Sequence, residues 1–482
     1  MEKLTRRYGL LTAICMVVGT VIGSGVFFKA QGVLVATGGN MPLGVAAWCI
    51  TGLIMVICAA QFAIMATRHE KANGIIDYAE KTCGKGYAYF ISWFLVNIYY
   101  PGMTSVLAWV SASYFGVIVG WSSTSSQVML LAGFFMILSY AMNSLSPRLS
   151  GKFQVSATVI KLIPITLMAV IGTSIGIANG TLTHNFVTTV AEPMGGSMGS
   201  GLFAAIVTTV FAYEGWIVAT SISAELKNPQ KNLPIALVAG SIIVVLCYVL
   251  YYIGISGGAS TEVLMQDGGT IKAFTNVFGT VGGALLNICI VVSCLGTLNG
   301  LMVAETRGMY AIAERKEGPK ADMFSQIDKA TNMTTNSAIW GLLLSGFWLL
   351  YFYGANLDSN GLWFGIFNFD SSELPIITIY ALYIPMFIMW MKKEKGLGVF
   401  KRFILPLLSI VACGFMMFAA IYKHGIIPMQ SALAEGRFEC PVIFYLIVFA
   451  VIMLVGMLFY SPIKRRLFKK EHTVEENNDD EE

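Results

Sequence analysis

Residues 19–27 read GTVIGSGVF, with three glycines in the middle of a long apolar segment. Glycine weakens a helix, and unsatisfied backbone groups are costly in lipid, so a break at this depth persists only where protein or a water-filled cavity surrounds it. Residues 210–216, VFAYEGW, place an acid, a glycine and aromatic residues midway along a second apolar segment. The two stretches predict helices that are interrupted inside a membrane.

The composition of the chain favours a lipid bilayer as its solvent. Of the 482 residues, 56% are hydrophobic and 12% are charged, and the mean hydropathy is +0.70. Soluble globular proteins average about 45–50% apolar and about 25% charged residues, which excludes a water-soluble enzyme. The net charge of +4 leaves no basic face for nucleic acid once the membrane topology is accounted for.

Apolar stretches long enough to cross ~30 Å of hydrocarbon, about 20 residues each, recur along the chain. They predict an all-α polytopic membrane protein with twelve transmembrane helices, called spans 1 to 12 in chain order. The predicted spans are residues 9–36, 43–66, 87–118, 127–145, 153–177, 201–224, 233–257, 281–304, 336–353, 372–391, 403–422 and 441–461. Span 1 would make about 42 Å of helix, which is longer than the bilayer requires and leaves room for an unwound centre.

The positions of Lys and Arg predict the orientation. If the N-terminus is cytoplasmic, 26 of the 31 Lys and Arg residues lie in cytoplasmic segments. We therefore expect a multi-pass protein of the cell membrane with both termini in the cytoplasm. The segment 1–8 would be a cytoplasmic N-terminus, and the acidic tail 462–482 is expected to be disordered.

Spans 1 and 6 each begin a group of five spans. Because five crossings that start in the cytoplasm finish outside, the second group must run inverted. This predicts two repeats, residues 9–177 and 201–391, followed by two additional spans in residues 403–461. Broken helices at matching positions of inverted repeats indicate a transporter substrate site near the midplane. The alternative is that the glycines only permit close packing of helices.

The restart of span 1 indicates which chemical group a substrate would carry. The amides of Ser24, Gly25 and Val26 would point into the gap, with the positive end of the helix dipole behind them. Backbone amides at a helix N-terminus bind anions, so this end favours a carboxylate.

The opposite helix ends favour an ammonium group. The first half of span 1 would end in free carbonyls around Ile22 and Gly23, and the first half of span 6 in those of Phe211 and Ala212. A site that offers amides and carbonyls together suits the zwitterionic backbone of an α-amino acid. Gly23 and Gly25 would also let the ligand approach closely, because neither has a Cβ.

The sequence resembles the amino acid, polyamine and organocation (APC) superfamily, most closely its bacterial L-type-like amino acid exchangers. The blocks that carry the resemblance are 19–28 (GTVIGSGVFF), 161–164 (KLIP), 211–216 (FAYEGW), 225–234 (ELKNPQKNLP) and 296–300 (GTLNG). They occur in order over about residues 5–460. The resemblance implies the five-plus-five inverted-repeat, LeuT-like APC fold with spans 1 and 6 discontinuous, and it leaves spans 11 and 12 outside the repeat.

The resemblance also implies a substrate site. The amides of span 1 would take the carboxylate, and carbonyls of spans 1 and 6, up to Tyr213, would take the amino group. Phe211 matches the aromatic gate of the family, with a packing aromatic as the alternative. Glu214 would face the side-chain pocket, hold the unwound segment together or reach water through the cavity. Tyr100 and Asn299 are further candidates for the pocket.

Lys161 follows Lys152, at the cytoplasmic edge, by nine residues and so lies about 13 Å into the membrane, too deep for an easy return to the interface. Its ammonium is expected to donate hydrogen bonds to carbonyls of span 1 and to span 8. The resemblance implies that it substitutes for a sodium ion, and hence that transport is independent of sodium. Two alternatives stay open, proton coupling through a lysine that loses its proton and a purely structural lysine. Lys29 either lines an outer vestibule or extends to the interface.

These observations predict a sodium-independent exchanger of neutral L-amino acids that works by alternating access. A proton-coupled amino acid or amine symporter is the alternative. We find no H-E-x-x-H motif and no aspartate pair in a span, and we place all four histidines in loops or the tail, so no enzymatic activity, cofactor or metal is expected. Asp370 and Glu373 are expected to cap span 10.

The sequence also bears on a possible accessory subunit. Animal relatives in the superfamily pair with a single-span glycoprotein through a cysteine bridge. The outer loop where that bridge would form, residues 37–42, contains no cysteine. We therefore expect no disulfide-linked accessory subunit, and the expected partners are the lipid bilayer and a small-molecule amino acid.

Overall fold

The computed structural model describes residues 9–68, 74–216, 226–328, 333–358 and 363–461. Within these ranges the chain forms helices and loops, without a β-strand. Ten of the described helices are long and apolar enough to cross a membrane, and one further pair of helices passes the same test as a single bent span. The protein is therefore a multi-pass membrane protein.

The helices are numbered in chain order, and helices that continue into one another through a π-helical or 3-10 turn are given one number. They are α1 Leu10–Val21, α2 Gly25–Ala36, α3 Met41–Arg68, α4 Ile75–Cys83, α5 Lys85–Val119, α6 Ser126–Leu145, α7 Leu149–Ala178, α8 Thr181–Val187, α9 Met198–Tyr213, α10 Pro229–Gly258, α11 Thr261–Leu264, α12 Gly269–Ala313, α13 Ala321–Phe324, α14 Thr335–Asn356, α15 Leu374–Lys393, α16 Phe400–Ala434 and α17 Pro441–Leu458.

Each predicted span coincides with helix in this structure, although the lengths differ. Span 1 is the pair α1 and α2, and span 6 begins as α9, while its later part, residues 217–224, lies outside the described residues. Helix α12 begins well before predicted span 8 and is kinked at Gly279, where φ is 73°. The count of twelve spans stays a prediction.

Helix α16 extends beyond predicted span 11 and continues to Ala434. It contains His424, which is buried. The placement of His424 in a loop was therefore wrong. The cause is that Lys423 and His424 interrupt the apolar pattern although the helix continues through them.

The packing places the two interrupted segments inside the protein. Helix α10 packs against α3 and α1, α9 packs against α2 and α3, and α12 packs against α5 and α7. The end of α1, the start of α2 and the end of α9 are therefore enclosed by other helices rather than by lipid. This satisfies the condition under which non-helical backbone is tolerated at membrane depth.

Candidate functional site

The break in span 1 leaves backbone donors without partners. Helix α1 ends at Val21, α2 begins at Gly25, and the two axes differ by 49°. Ser24 is the N-cap of α2, and its side chain makes no capping hydrogen bond. Among the described residues, the amides of Ser24, Gly25 and Val26 donate no hydrogen bond. The start of α2 is therefore an uncapped helix N-terminus of the kind that binds an anionic group.

Lys161 of α7 lies against the other side of this break. Its Nζ donates hydrogen bonds to the carbonyl oxygens of Gly19, at 2.7 Å, and of Ile22, at 2.5 Å. The side chain is buried, with 1% of its surface exposed. The predicted contact with span 1 is thus present, whereas the described residues contain no hydrogen bond from this ammonium to α12, the helix of predicted span 8.

Tyr248 of α10 connects the two interrupted spans, a role that was not predicted from the sequence. Its hydroxyl lies 3.0 Å from the carbonyl oxygen of Val21 and 2.9 Å from that of Ala212. A hydroxyl has one proton, so it can donate fully to only one of these carbonyls at a time. Tyr248 is one of several tyrosines in an apolar helix, and only the packing brings it to the break.

Two glycines of span 1 allow close packing between helices. A Cβ on Gly25 would lie 2.4 Å from Cα of Ala212, and a Cβ on Gly23 would lie 2.7 Å from Oγ1 of Thr297. These distances are shorter than any real contact. The glycines therefore make room for α9 and α12, and their role in admitting a ligand stays a prediction.

Span 6 loses its helical conformation just after α9 ends in a 3-10 turn, Phe211–Tyr213. Glu214 is extended, and Gly215 has a φ of 104°, which favours glycine. A Cβ on Gly215 would also lie 2.8 Å from the carbonyl oxygen of Thr20. Residues 217–225 lie outside the described residues, so the second half of the predicted break stays a prediction.

A cavity of about 770 Å³, its open mouth included, lies between these helix ends. Seven of the predicted site residues line it. These are Gly23, Ser24, Gly25, Lys161, Phe211, Ala212 and Glu214. Ile22, Val26 and Tyr213 are buried beside it, and Ile22 contributes the carbonyl that accepts from Lys161. The structure thus brings the predicted residues of spans 1, 5 and 6 together around one space, which we call the central cavity.

Asn299 does not line the central cavity. Its side chain is 1% exposed and forms hydrogen bonds with Asn143, Ser150 and Gln154, at 3.0, 3.0 and 3.3 Å. This network ties α12 to α6 and α7. Gln154 does line the cavity. The direction of Asn299 could not be read from the sequence, because packing decides which face of α12 points inward.

Tyr99, rather than the predicted Tyr100, lines the central cavity. Residues Leu95–Tyr99 form a π-helical turn, which inserts extra backbone and rotates the residues that follow it. The hydroxyl of Tyr99 donates a hydrogen bond of 2.7 Å to Oε1 of Glu214. The other carboxylate oxygen of Glu214 has no hydrogen-bond partner among the described residues. Glu214 therefore lines the cavity and holds one buried acceptor without a partner among the described residues.

Two aromatic rings close the central cavity towards the end of α2. The ring of Phe211 meets the ring of Phe28 edge to face, with 6.0 Å between centroids, and Phe28 meets Trp109 in the same way at 5.4 Å. The Nζ atom of Lys29 lies 5.0 Å from the Phe28 centroid and 5.2 Å from that of Phe211. We call the contacting rings of Phe28 and Phe211 the aromatic partition.

Lys29 belongs to a buried group of charged side chains, which we call the outer ion cluster: Lys29, Glu373, Lys423 and His424. One oxygen of Glu373 accepts from Lys29 at 2.9 Å, and the other lies 2.6 Å from Nζ of Lys423 and 2.9 Å from Nε2 of His424. Lys423 also donates to Thr208 of α9. The cluster connects α2, α9, α15 and α16, and Lys29 neither lines an open vestibule nor extends to the interface.

The outer ion cluster also corrects the capping prediction. The side chain of Glu373 forms no capping hydrogen bond at the start of α15. Asp370 instead accepts from the amide of Ser372 at 2.7 Å. Asp370, Glu373 and His424 bring possible metal-ligand atoms within 4.8 Å of one another. Because Glu373 already binds two ammonium groups, this carboxylate is poorly suited to a metal ion.

The comparisons with known proteins agree with this geometry. The profile of the amino acid permease family matches residues 8–461. The serine/threonine exchanger SteT of Bacillus subtilis is 30% identical over 467 residues, which cover 96% of this chain and 98% of SteT. The human b(0,+)-type amino acid transporter 1 is 25% identical over 87% of this chain and 83% of its own length.

A solved structure supports the fold. The crystal structure of MhsT in complex with L-phenylalanine superimposes with a TM-score of 0.57, covering 88% of this chain and all of MhsT, at 16% identity. At that identity the similarity concerns the architecture alone. It supports the all-α, LeuT-like arrangement that the resemblance to the APC superfamily implied.

Proposed function

The chain belongs to the amino acid permease family, and on that premise we propose that it exchanges neutral L-amino acids across the cell membrane by alternating access, without sodium. The observation that carries the proposal is the central cavity with its opposed helix ends. The unpaired amides of Ser24, Gly25 and Val26 would bind the substrate carboxylate. Carbonyls at the ends of α1 and α9 would bind its ammonium.

Two of these carbonyl oxygens already lie within hydrogen-bond distance of side chains of the protein. This limits how a substrate ammonium group can bind to them. Lys161 donates to Ile22, and Tyr248 lies within hydrogen-bond distance of Ala212. Each carbonyl has a second lone pair, so a substrate ammonium can share these oxygens or bind at Phe211. In this arrangement Phe211 would be both a backbone ligand and the aromatic gate.

The proposed sodium independence rests on Lys161. Its ammonium lies against the carbonyls of Gly19 and Ile22, at the negative end of the α1 dipole, where a bound cation would otherwise supply the charge. A symporter that releases the proton of Lys161 during transport is the alternative. No observation favours it over the exchanger.

The substrate class follows from Glu214 and its surroundings. Tyr99 holds one carboxylate oxygen, and the other is a buried acceptor without a partner among the described residues. A substrate hydroxyl would satisfy it, which makes serine and threonine, the substrates named for the relative SteT, the first candidates. Met103 and Leu107 supply apolar contacts beside it.

The remaining features of the proposal concern the whole chain. Both termini would be cytoplasmic, residues 9–177 and 201–391 would form the inverted repeats, and residues 403–461 would pack outside them. We propose no enzymatic activity, no cofactor and no disulfide-linked accessory subunit.

Exchange in proteoliposomes tests the proposal. Uptake of a labelled amino acid mixture is measured with and without unlabelled amino acids inside, in sodium-free buffer and without a pH gradient. We expect uptake to rise sharply with internal serine or threonine and to be unchanged by added sodium. Uptake that requires a sodium or proton gradient would contradict the exchanger.

A further inference from the structure

A second cavity lies on the far side of the aromatic partition, among α2, α5 and the start of α12. It measures about 1080 Å³ with its open mouth, and we call it the outer cavity. Its lining is rich in aromatic rings. These are Phe27, Phe28, Trp109, Tyr114 and Trp121. Asp267, in the loop before α12, is the charged side chain among the described residues that line it.

The aromatic partition lies between the outer cavity and the central cavity. Phe28 lines the outer cavity, Phe211 lines the central cavity, and their rings are in contact. Lys29, held by Glu373, lies against both rings. A solute that approaches from this side therefore reaches the outer cavity while the path to the central cavity is still closed.

Asp267 is held at the aromatic wall by a short chain of hydrogen bonds. The hydroxyl of Ser123 donates to Oδ2 of Asp267 at 3.2 Å. The indole Nε1 of Trp109 in turn donates to the backbone oxygen of Ser123 at 2.9 Å. The nearby Lys272 interacts with Gln266 at 3.4 Å, and no ion pair to Asp267 occurs within the described residues.

A carboxylate beside aromatic faces is a binding chemistry for an ammonium group. Aromatic rings attract cations through their quadrupole, and tryptophan does so most strongly. The carboxylate of Asp267 adds a direct opposite charge. The rings also provide apolar surface for a substrate side chain.

We propose that the outer cavity is a second amino acid site, which binds the ammonium group of an external amino acid between Asp267 and the rings of Trp109 and Trp121 before the partition opens. This inference rests on the proposed function, because the ligand is the amino acid that the central cavity would carry. It differs from that function in assigning a site that acts from one face of the membrane only.

The test compares the two faces of the membrane in Asp267→Asn. Exchange of labelled serine is measured in intact cells, which present one face, and in inverted membrane vesicles, which present the other. We expect KM to rise about fivefold at one face and to stay unchanged at the other, with kcat unaltered. The matched control is Glu262→Gln, an exposed acid five residues earlier that does not line the cavity.

A binding measurement keeps the test informative if the variant transports poorly. Serine methyl ester retains the ammonium group but lacks the carboxylate that the central cavity requires. We expect it to compete with serine at the affected face and to change tryptophan fluorescence of the purified protein, and we expect both effects to weaken about fivefold in Asp267→Asn. Ser123→Ala, which only releases the carboxylate, should weaken them less.

Two kinds of failure are distinguishable. An unchanged KM at both faces, or an equal change at both, overturns the outer site while leaving exchange intact. Absence of exchange by the unaltered protein overturns the proposed function, and the outer site with it.

Discussion

Lys161 and Lys29 are both buried in this protein, yet their charges are compensated in opposite ways. Lys161 binds two backbone carbonyls at the end of a broken helix and forms no salt bridge within the described residues. Lys29 forms an ion pair with Glu373, which also binds Lys423 and His424. One lysine is held by oriented dipoles, and the other by a countercharge.

The difference has consequences for movement. The charges of a carboxylate and an ammonium do not depend on the backbone conformation. The ion pairs of the outer ion cluster can therefore break and re-form as α2 and α15 move. The carbonyls of Gly19 and Ile22 bind an ammonium only while the unwound conformation persists. Lys161 therefore stabilises one backbone conformation at the break of span 1, whereas Lys29 stabilises one arrangement of helices.

The largest effect is expected from Lys161→Ala. Two carbonyls would lose a charged donor, and each such hydrogen bond contributes about 1.5–3 kcal/mol, so exchange should fall at least about 100-fold. The measurement is exchange in proteoliposomes normalised to incorporated protein. Lys152→Ala, an exposed lysine on the same helix, is the control and should retain normal exchange. Normal turnover in Lys161→Ala would remove its proposed role.

The variant Glu373→Gln tests whether the negative charge of Glu373 stabilises Lys29. Removing it leaves the buried Lys29 and the half-buried Lys423 without their shared partner, which should lower the free energy of unfolding by about 3 kcal/mol. Thermal unfolding in detergent measures this. Lys29→Met combined with Glu373→Gln should recover part of the loss, since it removes one uncompensated cation. Equal stability of both variants and the unaltered protein would contradict the ion cluster.

Exchanging lysine for arginine at each site sharpens the comparison. A guanidinium can pair with a carboxylate, so Lys29→Arg should keep exchange within about twofold. At Lys161 the planar group is expected to fit poorly between the carbonyls of Gly19 and Ile22, and exchange should fall about tenfold. The assay is the same proteoliposome exchange. If both arginine variants kept the same exchange activity, the way in which each lysine's charge is compensated would not matter for transport.

The smallest effect is expected from Tyr248, whose neutral hydroxyl lies at the same break in span 1 as Lys161. Tyr248→Phe removes the hydroxyl shared between Val21 and Ala212, a hydrogen bond worth about 1 kcal/mol, so exchange should fall about fivefold. Tyr252→Phe is the matched control, because its hydroxyl lies one turn further along α10 and has no hydrogen-bond partner among the described residues. A similar loss in both variants would assign the effect to packing.

Much of the central cavity followed from the sequence because it is built from backbone. Glycines and an acid inside apolar segments indicate where a helix is interrupted, and the ends of an interrupted helix expose amides and carbonyls whatever the side chains are. This is why Ser24, Gly25 and Ala212 could be placed at the site. Lys161 could be placed there because a lysine at that depth requires a partner.

Side chains that meet across helices were harder to predict. Tyr100 was predicted to line the cavity instead of its neighbour Tyr99, because a π-helical turn changes which residues of α5 point inward. Asn299 points into a network with α6 and α7 instead of the cavity. His424 was placed in a loop because charged residues hide the continuation of α16.

The sequence by itself determined that this protein lies in a membrane and that its helices form a LeuT-like transporter fold, and it predicted that two of them are interrupted at a substrate site. These conclusions depend on local properties, namely hydropathy, glycine positions and motif order. Only the tertiary structure decided that Glu373 joins Lys29 to Lys423 and His424, that Tyr248 links the two interrupted segments, and that an aromatic partition divides two cavities. Those features depend on the rotation and packing of helices that are distant in sequence, which no local pattern records.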